Sequence, residues 1–159
     1  MDEETKVIAR QAHANQTVYF RSLHEARLLD ARAVVQTSLL INGAAATAIL
    51  AFLSSMSQGA PARHIPKAFI WSLGLFGAGV FCAACMAVMA YMTNHRYAEA
   101  IGAKKPTWEH PFVAETADSI RHDVHARVAH GFGYAFAALT LAFFLAGIIV
   151  AAVGFTKLH

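Results

Sequence analysis

Cys82 and Cys85 stand in a C-x-x-C spacing, which elsewhere carries thiol redox chemistry or half of a zinc site. Their neighbours are Phe81, Ala83, Ala84 and Met86, and in such surroundings a thiolate is disfavoured by desolvation. The pair reads as small packing residues in an apolar helix. Nine histidines among 159 residues raise a second possibility. Glu115, Asp118, His122 and His125 fall at i, i+3, i+7 and i+10, one stripe of a helix, and carboxylates with imidazoles on one face form a donor set for a divalent metal. The same angular count sets this stripe opposite an apolar seam of Val113, Ala117, Ile120, Val124 and Val128. A stripe opposite the packing seam faces water, so the expectation is a solvated face with Asp118 and His122 as an i,i+4 pair.

His95 and His130 could clamp a haem, as histidines on facing helices do in small three-span subunits of respiratory complexes. Both, however, stand at the ends of apolar runs and none stands within one, so they read as polar helix ends and the sequence implies no cofactor. No Gly-rich phosphate loop, G-x-S-x-G or H-E-x-x-H is present, and the expectation is a non-enzymatic protein without catalytic residues.

The elements behind these residues are set by the distribution of charge. The chain is 57% apolar, above the roughly 45–50% of soluble domains, with a mean hydropathy of +0.43. Three runs, Val34–Met56, Ala68–Thr93 and Gly131–Thr156, contain no Asp, Glu, Lys or Arg. Each exceeds the roughly 20 residues that a helix needs to cross a hydrocarbon core. The fold class is therefore all-α, an integral membrane protein with three transmembrane helices and cytoplasmic helical extensions. The organisation expected is a cytoplasmic amphipathic helix (1–33) continuous with span one (34–56) and an outer loop (57–67). Span two (68–93), a cytoplasmic loop bearing an amphipathic helix (94–130), span three (131–156) and an outer tail (157–159) complete it. The spans hold no ionised residue, which removes the usual marker of a proton relay or coupled transporter.

Ten Lys and Arg residues fall before span one or between spans two and three, and only Arg63, Lys67 and Lys157 fall on the other side. This bias places the N-terminus and second loop in the cytoplasm and the C-terminus outside a cell (inner) membrane. Trp71 and Phe155 outside, with Tyr91 and Tyr134 inside, fit as interfacial anchors. The opening Met1-Asp2-Glu3-Glu4 is unlike a signal peptide, and no basic cluster interleaved with aromatics suggests nucleic acid.

The N-terminal segment has no Gly or Pro between Thr5 and Asn42 and reads as one helix running into span one. Ile8, Ala12, Tyr19, Leu23, Ala26 and Ala33 share its apolar face, with Lys6, Arg10, His13, Arg21, His24 and Arg32 opposite. Arg10, Arg21 and Arg32 recur every eleven residues. Their line continues through Ser38 and Asn42 to Ala46, Ile49 and Leu53, a face that grades from basic to polar to apolar. Copies of this helix around an axis would form a pore with a basic vestibule and a hydrophobic constriction. Gly102 is expected to cap the second helix in the left-handed conformation, with a loop from Pro106 to Pro111, and Gly131 and Gly133 to bend the entry to span three. Small residues recur at four in all three spans: Gly43, Thr47 and Ala51; Gly79, Ala83 and Ala87; Ala138, Ala142 and Ala146. Such stripes allow close helix approach within a chain or between copies.

Leu39-Leu40-Ile41-Asn42-Gly43-Ala44-Ala45-Ala46, ending in Ala51-Phe52-Leu53, resembles the first span of small bacterial multi-pass membrane proteins of unknown function. The resemblance implies a membrane location and the layout of helix plus spans. Thr37-Ser38-Leu39-Leu40 followed by Asn42-Gly43 is also similar in layout to the pore helix of Orai-type calcium channels, although no acidic filter residue is present around Ala48–Ala51 and a fourth span is missing. The partners expected are the lipid bilayer and further copies of the chain in a homo-oligomer. The function expected is a non-enzymatic, self-associating membrane component that could form a pore. The alternatives are an accessory or anchoring subunit of a larger membrane complex, a haem-binding respiratory subunit or a holin-like protein.

Overall fold

The computed structural model describes residues 3–58, 66–109 and 112–157. Three helices account for most of them: α1 Glu3–Gln58, α2 Lys67–Gly102 and α3 Ala117–Thr156. Between α2 and α3 a short ladder pairs β1 (Lys105–Pro106) antiparallel with β2 (Val113–Ala114). Each helix contains a segment long and apolar enough to cross a membrane, in α1 the stretch Leu28–Met56. The chain is thus an all-α multi-pass membrane protein. At about 1.5 Å per residue, the 36 residues of α2 and the 40 of α3 extend roughly 54 and 60 Å, against a hydrocarbon core of about 30 Å. Both helices therefore outrun their uncharged segments.

The residues divide into two compact units. One, the span unit, is Ala33–Val88 with Phe132–His159. The other, the charged unit, is Met1–Arg32 with Met89–Gly131.

Packing in the span unit follows a seven-residue repeat of small or polar residues. On α3 the buried positions Thr140, Gly147 and Gly154 are seven apart, and on α2 Ser72, Gly79 and the larger Met86 are buried at the same interval. In the charged unit the same intervals hold Ser119 and Ala126 on α3 and Thr93 and Ala100 on α2, all buried. A seven-residue period keeps one seam facing a neighbouring helix. Ser72 Oγ donates to the Gly147 carbonyl at 2.9 Å, and Thr140 Oγ1 donates to the Gly79 carbonyl at 3.4 Å, so α2 and α3 run antiparallel. Where the repeat places glycine, a ring fills the notch. A Cβ on Gly147 would stand 2.7 Å from Phe76 Cε1, and one on Gly154 would stand 3.1 Å from Phe69 Cζ. Phe69 is fully buried, with ring centroids 5.2 Å from Phe52 and 5.0 Å from Phe155. With Ile49, Phe76 and Ala151 it forms the apolar core of this unit.

The four-residue stripes of the sequence fare unequally. Gly79 and Ala83 are buried and Ala87 half-buried, but Thr47, Ala51, Ala138 and Ala142 are exposed. Thr47 satisfies its hydroxyl on its own helix, donating to Gly43 O at 2.9 Å. Trp71, Tyr91, Tyr134 and Phe155 are all exposed.

In the charged unit, several expectations are corrected. The loop expected from Pro106 to Pro111 begins inside a strand, and Val113, assigned to the apolar seam of a helix, lies in β2 instead. Thr107 N donates to Phe112 O at 2.8 Å and Phe112 N donates to Glu109 O at 2.7 Å, closing the turn with Phe112 at φ 61°. The left-handed residue is thus Phe112 and not Gly102, since no described glycine has positive φ. α2 ends instead with Ala103 N donating to Glu99 O and Lys104 N to Ile101 O. α3 begins with a reciprocal cap in which Ser119 N donates to Thr116 Oγ1 and Thr116 N donates to Ser119 Oγ. Thr116 Oγ1 also donates to Ala103 O at 2.9 Å, tying the start of α3 to the end of α2. α3 then passes through Gly131 and Gly133 as one helix.

The apolar seam expected to pack is turned outward. Ile120, Val124 and Val128 are about half exposed, while Ser119, Ala126 and Ala129 on the opposite face are buried. The reason is close approach: small residues admit a neighbouring helix where β-branched ones hold it off. On α1, likewise, Ala9 is buried and His13 half-buried, whereas Ile8 is 51% exposed. The side chains of Tyr19, Leu23, His24, Ala26 and Arg27 lie outside those described, as do residues 59–65 of the loop expected on the outer side.

Candidate functional site

Two polar constellations stand out, one in each unit. In the span unit, Asn42 of α1 is fully buried. Its Nδ2 donates to Ser38 O at 3.0 Å along its own helix, while Oδ1 has no hydrogen-bond partner. Oδ1 is directed at Gly79, where an added Cβ would come within 2.1 Å of it. The hydrogen on that Cα bond thus points at the oxygen, a weak Cα–H···O contact available only to glycine at this spacing. Since Thr140 reaches the same glycine's carbonyl, Asn42, Gly79 and Thr140 make one polar layer across three helices. In hydrocarbon such groups have no water to turn to, so the layer fixes the register of the helices.

The line proposed for a pore divides at this layer. Arg10, Arg21 and Arg32 are exposed and Ser38 is half-buried. Asn42 and Ile49 are buried within the chain, and Ala46 and Leu53 are half-buried against the aromatic core. Asn42 and Ile49 are thus turned to the chain's own helices, while Ala46 and Leu53 keep part of their surface open. The angular projection fixes which residues share a face but not what that face meets.

In the charged unit, Glu99 of α2 gathers one guanidinium and two imidazoles. Arg96 Nη1 donates to Oε2 at 2.9 Å, and His95 Nε2 lies 3.5 Å from Oε1. His122 Nδ1, from α3, lies 3.1 Å from Oε2. That nitrogen is buried and off the hydrogen-bond axis, so the contact is an ion pair when the ring is protonated rather than an aligned hydrogen bond. Partial desolvation works against the charge on Glu99. The hydrogen bond from Arg96 and the charges of Arg96, His122 and His95 outweigh it, holding the carboxyl below its ordinary range. His13 of α1 completes the unit, its Nε2 2.6 Å from Phe112 O and its ring 6.2 Å from that of Trp108.

The four candidate metal ligands do not converge. Glu115 pairs with Lys104 at 3.4 Å, Asp118 with Arg121 at 3.3 Å, and His122 turns to Glu99, while His125 is exposed. The expected Asp118–His122 pair is therefore replaced by contacts to other partners. Among the described residues no group of three or more His, Cys, Asp or Glu side chains could hold a metal ion. His95 stacks on Tyr91 with the rings 2° from parallel, and His130 is exposed. Cys82 and Cys85 are free thiols, the first buried and the second half-buried. Comparison with protein-family models, with curated proteins and with solved structures finds no match.

A pH dependence follows from Glu99. Its lowered pKa means that the folded chain holds the carboxylate more readily than the unfolded one. The stabilisation is present above the ordinary carboxylate range and is lost as pH falls through the lowered folded value. Melting in detergent should fall more steeply with acidification for the parent than for Glu99→Gln. Parallel profiles would show that the cluster contributes nothing; at this exposure the difference should be small.

Proposed function

We propose that the chain is a non-enzymatic component of a bacterial inner membrane that assembles with further copies of itself, with its charged unit in the cytoplasm. The observation that carries this reading is the outward stripe of Ile120, Val124 and Val128 on α3, exposed by 50%, 47% and 54%. In lipid an exposed apolar side chain needs no partner. This stripe shares its turns with Asp118, Arg121, Asp123 and Arg127, so its surroundings are aqueous. Covering it would recover roughly 1 kcal/mol per residue, half of a full burial. The flanking charges favour a second copy as the cover. Asp123 pairs with Arg127 and Asp118 with Arg121 within one chain, leaving the face charge-balanced and free of self-repulsion. The ten-to-three basic bias supports the orientation.

Particle mass in detergent tests this. The purified chain should appear as a discrete multiple of 17.1 kDa, and Val124→Asp should reduce it to the monomer. A monomeric parent would favour the accessory-subunit alternative, in which a different protein covers the stripe.

A further inference from the structure

The turn that closes the β1–β2 hairpin is braced by α1. Phe112, at φ 61°, is the one described residue in the left-handed region. For a bulky side chain that region is disfavoured, because Cβ crowds the following carbonyl oxygen, and such a residue persists only where its surroundings hold it. Within the turn, Phe112 N donates to Glu109 O at 2.7 Å, and Thr107 Oγ1 donates to the same oxygen at 2.9 Å. Phe112 O accepts from two sides, from Thr107 N at 2.8 Å and from His13 Nε2 at 2.6 Å. The second donor belongs to α1, 99 positions earlier in the chain. A carbonyl oxygen only accepts, so Nε2 carries a hydrogen whether the ring is neutral or protonated. His13 is half-buried, and its ring lies 6.2 Å from that of Trp108. α1 thus meets the turn twice, at a side chain early in it and at the backbone carbonyl that closes it. His13, Trp108 and Phe112 all belong to the charged unit.

We infer that His13 is a positioning residue that latches this turn: its hydrogen bond from α1 holds Phe112 left-handed, and without it the turn opens and Phe112 returns to the extended region. The hairpin is then a two-state element whose state depends on whether the N-terminal part of α1 is seated against it. Every group involved belongs to one chain, so the inference goes beyond self-assembly and is tested separately from it. Residue-resolved hydrogen exchange on the intact protein in detergent reads the latch at the Thr107 amide, whose acceptor is Phe112 O. His13→Ala removes both ring and donor. His13→Phe keeps a ring against Trp108 and removes only the donor, so it decides the matter where His13→Ala fails to fold. Each should speed exchange at Thr107 by roughly five-fold, the equivalent of one net hydrogen bond. His13→Gln, which returns an N–H donor, should exchange at the parent's rate. The Ser119 amide, which donates to Thr116 Oγ1 in the same unit, should be unchanged in all three. Parent-like exchange at Thr107 in His13→Phe overturns the inference, as does His13→Gln exchanging as fast as His13→Phe. An equal rise at Ser119 also overturns it, since the whole unit would then have loosened.

Discussion

Gly79→Ala should destabilise the protein by about 3 kcal/mol, the upper end of the cost of overpacking a core. The added Cβ would stand 2.1 Å from Asn42 Oδ1 and 2.6 Å from Asn42 Cγ. Asn42 has little room to yield, being fully buried with its amide nitrogen held on Ser38 O. Asn42→Ala alone should cost less, about 1 kcal/mol. It forfeits one local hydrogen bond and some packing, but removes an acceptor that has no hydrogen-bond partner. In Asn42→Ala/Gly79→Ala the alanine at position 79 meets vacated space, so the pair should be barely worse than Asn42→Ala. That is a coupling of about 3 kcal/mol, well above the few tenths typical of independent sites. Equilibrium unfolding of the four proteins in one detergent measures it. Additive costs would show that Asn42 and Gly79 do not meet.

Phe69→Ala is the second large effect. In an aqueous core the loss of a buried phenyl ring costs about 3–5 kcal/mol. Part of that is transfer from water, which is missing when the unfolded reference stays in hydrocarbon. The packing share remains, because the ring fills the notch at Gly154 and touches both Phe52 and Phe155. The expected loss is thus about 2–3 kcal/mol, mostly dispersion. Phe81→Ala, at a ring 68% exposed on the same helix, should stay within about 0.5 kcal/mol. Similar losses at the two positions would mean that Phe69 is not at the centre of the span unit.

The spans were legible because a helix in hydrocarbon must be uncharged over its crossing, and that constraint is written residue by residue. Which face packs was not legible by the same means. Hydrophobicity marks the inward face only where the alternative is water; between spans and lipid it marks nothing. The signal that does mark it is small residues at seven-residue intervals, as at Thr140, Gly147 and Gly154, rather than the four-residue stripes of Gly43–Ala51 and Ala138–Ala146. Ser119 and Ala126 extend it back to the start of α3 and turn Ile120 and Val124 outward. His122 shares the face of Ser119, Ala126 and Ala129, so it meets Glu99 on α2 instead of water. Val113 could not be placed from periodicity, since a two-residue strand has no period to show.

The measurement that bears most directly on self-assembly is disulfide trapping in native membranes. With the stripe shared between copies, mild oxidation of Val124→Cys or Val128→Cys should give a species of twice the chain mass, and the off-stripe His125→Cys should give far less. Both stripe thiols remaining single, and open to a water-soluble maleimide, would contradict the account: the stripe would then be uncovered in the membrane.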